Sequence, residues 1–72
     1  PAPDRFQVIQ RFLPYVEDEL SGGVRLQQMT RHILGLFQGQ PGARAWRRYI
    51  SEHAHRAGAG TEVIERALRC VS

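Results

Sequence analysis

The residues best equipped for chemistry lie between positions 31 and 48. They are the pair Arg31-His32, the turn Gln38-Gly39-Gln40-Pro41-Gly42, and the run Ala43-Arg44-Ala45-Trp46-Arg47-Arg48. A guanidinium is a planar fork of donors that pairs with phosphate oxygens and stacks on bases. At about 100° per residue, a helix from 41 or 42 to 56 puts Arg44, Arg48, Ser51 and His55 in one arc of about 60°. Arg47 falls between that arc and the apolar face. The start of the same helix adds free N–H groups and a partial positive charge, which suit an anion. Arg31 and Gln38 stand on the polar side of the preceding helix, and a tight Gly-x-Pro-Gly turn keeps the two surfaces adjacent. The expected site is therefore Arg31, Gln38, Arg44, Arg47 and Arg48, with His32 and His55 at its margins. Its chemistry is that of a polyanion holder. Phosphate contacts position a nucleic acid without reading its sequence, so recognition of a folded RNA by shape is the natural use.

Four helices are expected to carry these residues. Asp4 caps the first, which runs to about residue 20 with Ile9, Phe12, Leu13, Val16 and Leu20 as its apolar stripe. Pro14 should kink that helix or divide it near Leu13. Glu17, Asp18 and Glu19 crowd its last turn against the helix dipole. Ser21-Gly22-Gly23 forms a stop. The second helix is expected over 24–38, with Leu26, Met29, Ile33, Leu36 and Phe37 inward and Gly35 on the outer face. Gly39 is placed for a left-handed cap. The third helix buries Ala43, Trp46, Ile50, His53, Ala54 and Ala57, and Gly58-Ala59-Gly60 breaks it. Thr61 caps the fourth, which packs Val63, Ile64, Ala67, Leu68 and Val71 inward. The pattern contains no period-two segment, no repeat and no low-complexity tract. The expected fold is all-α, a compact antiparallel four-helix bundle.

Size and composition narrow the function. Seventy-two residues make one small domain, with a core that supplies roughly 3–5 kcal/mol and little material for a deep catalytic pocket. The sequence starts Pro1-Ala2-Pro3 without Met and reads as a fragment of a larger protein. It holds no apolar run of membrane-spanning length and no signal-peptide pattern. The lone Cys70 reads as a small half-buried apolar residue, and one thiol without a disulfide framework fits a reducing cytoplasm. All ten basic residues are Arg, for a net charge of +3, so any nucleic-acid surface has to be a local patch. The absence of Lys reads as genomic bias. No Ser–His–acid set, phosphate-cradling loop or dinucleotide fingerprint is present. His53 and His55 project to different faces, which leaves no metal site. Trp46 is expected to pack in the core rather than stack on a base.

Several stretches together resemble a family. Leu13-Pro14-Tyr15-Val16-Glu17-Asp18-Glu19-Leu20, then Thr30-Arg31-His32-Ile33-Leu34-Gly35-Leu36-Phe37-Gln38-Gly39, then Pro41-Gly42-Ala43-Arg44-Ala45-Trp46-Arg47-Arg48-Tyr49 resemble the C-terminal part of bacterial tRNA-dihydrouridine synthases. The A-type subgroup is the nearest, and the resemblance continues through Ser51-Glu52-His53-Ala54-His55 and Ala57-Gly58-Ala59 to the end of the chain. It implies a parent enzyme in which a flavin barrel of the same polypeptide, with FMN and NADPH, reduces a uridine of the tRNA D-loop. It also implies that the helical domain grips the tRNA through positions matching Arg31, His32, Gln38, Arg44, Arg47 and Arg48. The barrel is missing from these 72 residues. No catalytic residue and no cofactor site is expected here, and Cys70 does not match the family's catalytic cysteine.

Two other classes fit parts of the pattern. A protein-docking domain, facing a barrel or a partner subunit instead of RNA, would use the acidic patch and the outward Gly35. A small helix-turn-helix DNA binder is permitted by the turn at 39–42, but the third helix begins with backbone-anchoring residues and offers no Asn or Gln base reader.

Overall fold

Asp4 caps the first helix. Its backbone is extended, and its carboxylate accepts the Gln7 N–H at 2.8 Å. The computed structural model describes residues 4–71, so the terminal Pro1-Ala2-Pro3 and Ser72 lie outside the described residues. Helix α1 covers Arg5–Ser21. It ends as its glycines direct: Gly23 turns left-handed at φ 93°, its N–H bonds to Leu20 O at 3.1 Å, and the Val24 N–H bonds to Glu19 O at 3.0 Å. Those two bonds satisfy carbonyls that a helix terminus otherwise leaves open.

Of the two outcomes expected of Pro14, division does not occur: the proline lies inside a continuous α1. Its ring removes one N–H, and the carbonyl left without a partner belongs to Gln10, an exposed residue that water can serve. On the opposite side Ile9 and Val16, both 0% exposed, clamp the helix to the core on either side of the proline.

The expected second helix over 24–38 is the largest correction. Helix α2 spans only Leu26–Thr30. Residues 31–39 continue as tight turns, with Ile33 N bonded to Thr30 O at 2.9 Å, Leu36 N to Ile33 O at 3.2 Å and Gln38 N to Gly35 O at 3.1 Å. The Ile33 carbonyl also accepts the buried Trp46 indole N–H at 3.0 Å. A tertiary donor and a three-residue turn thus hold the carbonyl that an α-helix would offer to Phe37. The apolar residues still reach the core: Leu26, Met29, Ile33 and Phe37 are buried, and Leu36 is half-buried.

Helix α3 covers Ala43–His53, preceded by Gly42 at φ 89°. It stops three residues short of the expected end, so Ala57 is exposed rather than inward, while Trp46, Ile50 and Ala54 are buried. Helix α4 covers Thr61–Leu68, and its N-cap is Gly60, not Thr61. The Glu62 carboxylate accepts the N–H of Gly60 itself at 3.1 Å, and no side chain caps the N–H groups of the first turn.

Trp46 sits at the centre. Its ring meets Phe37 edge-on at 4.8 Å between centroids, and Phe37 in turn meets Phe6 at 5.4 Å. Helix α4 packs on both α3 and α1, and α2 packs on α1. The described residues therefore comprise four helices and no strand.

Candidate nucleic-acid interface

With Ala43, Trp46, Ile50 and Ala54 turned to the interior, the 3.6-residue period leaves Arg44, Arg47, Arg48, Ser51 and His55 exposed. The turn 39–42 folds the end of the preceding segment beside them. Gln38 and Gly39 join Arg44, Arg47, Arg48 and Ser51 around one open groove of about 420 Å3. Four of the seven expected site residues, Gln38, Arg44, Arg47 and Arg48, thus share a single surface feature. No side chain caps the first turn of α3 beside this groove, so its leading N–H groups add to the local positive potential.

The other three are placed differently. Arg31 is exposed and lines a shallow depression of about 180 Å3, which shares Ser51 with the arginine groove. His55 belongs to a third concavity at the far end of α3. Its Nδ1 lies 3.2 Å from Ser51 O. A carbonyl only accepts, so Nδ1 carries the proton there and Nε2 is left for any other partner. His32 is exposed but lines neither the groove nor the depression.

The third concavity, about 600 Å3, was not visible in the sequence pattern. It is framed by residues 23–27 and 54–60, and it brings Arg25 and Arg56 beside His55. Sequence reasoning assigned no role to either arginine. Carboxylates line none of these three surfaces. Glu52 lines a further concavity together with Arg44 and Arg48 themselves, Tyr49 and Cys70, on their other flank.

The aromatic candidates resolve toward packing. Trp46 is 0% exposed. Tyr49 stacks against His53, with centroids 4.2 Å apart and planes tilted by 38°. Among the described residues no group of three His, Cys, Asp or Glu side chains could hold a metal ion, and no helix is long and apolar enough to cross a membrane. The buried polar side chain of Thr30 bonds within its own turn to Gln27 O.

Comparison with known proteins gives the arrangement a context. The chain is 62% identical over 68 residues to a "tRNA-dihydrouridine(20/20a) synthase" of Vibrio cholerae, covering 94% of this chain and 21% of the relative. Proteins of the same name from Yersinia pestis and Escherichia coli K12 are each 56% identical, over 72 and 69 residues, with 100% and 96% of this chain and 21% and 20% of the relative covered. The chain therefore spans about a fifth of the length of the curated relatives it matches. No solved structure matches it significantly. The family model described as "Dihydrouridine synthase (Dus)" matches residues 1–72, the whole of the sequence, and the chain belongs to the dihydrouridine synthase family.

Proposed function

We propose that this chain is the C-terminal, tRNA-gripping helical domain of a tRNA-dihydrouridine synthase of the A-type subgroup. Its helices form an antiparallel bundle beside a flavin barrel in the same polypeptide. The barrel, with FMN and NADPH, supplies the reduction of a D-loop uridine. This chain contributes binding and orientation. Arg44, Arg47 and Arg48 hold phosphate oxygens, Gln38 donates or accepts at a ribose or phosphate, and Arg31 extends the contact along the same face. His32 and His55 are peripheral partners.

One observation carries the reading: three guanidiniums and an amide share a groove that no carboxylate lines. Contacts of this kind fix the register of a folded RNA without choosing its sequence. Target choice then falls to tRNA shape and to what the barrel accepts.

The test is the double variant R44A/R48A, assayed by filter binding of bulk tRNA over a range of salt. Each phosphate contact contributes about 0.7–0.9 to the slope of log affinity against log salt. Removing two lowers the slope by about 1.5 and weakens binding. An unchanged slope refutes the assignment.

A second reading, protein docking, draws on a different surface. Phe6, Val8 and Tyr15 on α1 are 39%, 38% and 52% exposed. Because those residues do not line the arginine groove, docking through α1 leaves the groove open, and the two roles are compatible within one domain.

A further inference from the structure

The cleft at the far end of α3 belongs to the same track as the arginine groove. Ser51 is common to the groove and the depression that holds Arg31, while Gln27 and Ala54 are common to that depression and the cleft. Three concavities therefore adjoin in series along α3, whose 11 residues span about 16 Å. Basic side chains line all three: Arg44, Arg47 and Arg48 at one end, Arg31 between, and Arg25, His55 and Arg56 at the other. Seven acidic residues occur in the chain, and none lines this track.

The cleft differs from the groove in having two kinds of wall. Leu26 is buried and Leu20, Val24 and Ala59 are half-buried, so they make its floor; Arg25, His55 and Arg56 are exposed, so they make its rim. Gly58 and Gly60 also line it and leave two positions of that loop wall without side chains. A cationic rim over an apolar floor matches the two halves of a nucleotide, an anionic phosphate and a flat base.

We infer that this cleft takes one unpaired nucleotide of the RNA strand that runs along α3. Arg25 and Arg56 hold its phosphate, and its base lies on the floor formed by Leu20, Val24 and Leu26. The inference rests on the RNA-binding reading above. The nucleotide has to be unpaired because a base within an A-form duplex does not leave the stack to reach such a floor. The domain thus grips its RNA at both ends of α3, by backbone alone at the first end and by backbone and base at the second.

The test compares wild type, R25A/R56A, R25K/R56K and R66A/R69A in this chain. Arg66 and Arg69 are exposed, on or just beyond α4, and outside the track, so their loss controls for net charge. The readouts are tRNA affinity at 50 and 200 mM salt, and the preference for an unpaired oligoribonucleotide over a blunt RNA duplex. Losing the one phosphate that both arginines hold shrinks the ratio of affinities at the two salts by about threefold. R25A/R56A should show that change and lose the preference, R25K/R56K should keep the salt ratio, and R66A/R69A should keep both. Circular dichroism of the exposed-site variants should match wild type. The cleft assignment is overturned if R25A/R56A behaves like wild type, if R66A/R69A matches it, or if the preference survives. A wild type that binds no tRNA overturns both this inference and the RNA reading. Weakening by R44A/R48A but not by R25A/R56A removes the cleft alone.

Discussion

Gly42→Ala tests how the turn beside the groove is held. Gly42 has φ 89°, and a Cβ built there would lie 2.1 Å from Cys70 O and 3.0 Å from both Cys70 C and Val71 Cα. All three atoms are backbone, so no side chain can swing aside. Gly39 is the matched control, with φ 86° and nothing within 4 Å of its Cβ position. An Ala forced into the left-handed region costs about 1–2 kcal/mol, offset by about 0.4–1 kcal/mol from the stiffer unfolded chain. Gly39→Ala should therefore destabilise by about 1 kcal/mol. Gly42→Ala bears the same cost and must also push the tail off α3. Val71 is only 5% exposed, and freeing a buried side chain of its size forfeits about 1.5–3 kcal/mol. The sum is about 2–4 kcal/mol, most of the roughly 3–5 kcal/mol that a core of this size supplies. Urea unfolding followed by Trp46 fluorescence measures both variants. If Gly42→Ala costs no more than Gly39→Ala, the close approach of the tail is not what holds this turn.

Three further outcomes follow from named contacts. Trp46→Phe removes the indole donor to Ile33 O and should cost about 1–3 kcal/mol, read from the circular dichroism midpoint; a neutral result would mean that the turns at 31–39 do not depend on that bond. Asp4→Ala deletes the carboxylate that accepts the Gln7 N–H and should cost about 1 kcal/mol, measured in the same way. Gly35→Ala should raise stability by about 0.5–1 kcal/mol, since a Cβ there meets nothing within 4 Å and the glycine's extra unfolded freedom is removed. A midpoint that falls instead would show that this position needs a conformation only glycine adopts.

What could be read from the sequence was what short-range geometry decides. The cap at Asp4, the stop at Gly22 and Gly23, and the inward set Val63, Ile64, Ala67 and Val71 all follow from residues within a few positions of one another. The grouping of Gln38 with Arg44, Arg47 and Arg48 was legible for the same reason: one short turn joins their two elements, and the helical period does the rest. The larger misses share the opposite cause. The second helix gives way to tight turns after Thr30, and within them Ile33 O takes a donor from Trp46, 13 residues away, a partner about which helical periodicity carries no information. The N-cap of α4 is Gly60, whose carbonyl accepts the Val63 N–H at 3.1 Å, so the helix begins one residue earlier than the Thr61 hydroxyl suggested. Arg25 and Arg56 went unread because the cleft exists only where two loops distant in sequence meet. The same distinction bears on how the groove works. Its arginines are placed locally, but the turn that sets Gln38 and Gly39 against them is seated on the chain's own tail, where Gly42 meets Cys70 and Val71. A substitution that lifts the tail should therefore spread the groove as well as destabilise the fold. Gly42→Ala is thus expected to weaken tRNA binding under conditions where it is still folded, which R44A/R48A does by charge alone and Gly39→Ala, with open space around its Cβ, does not.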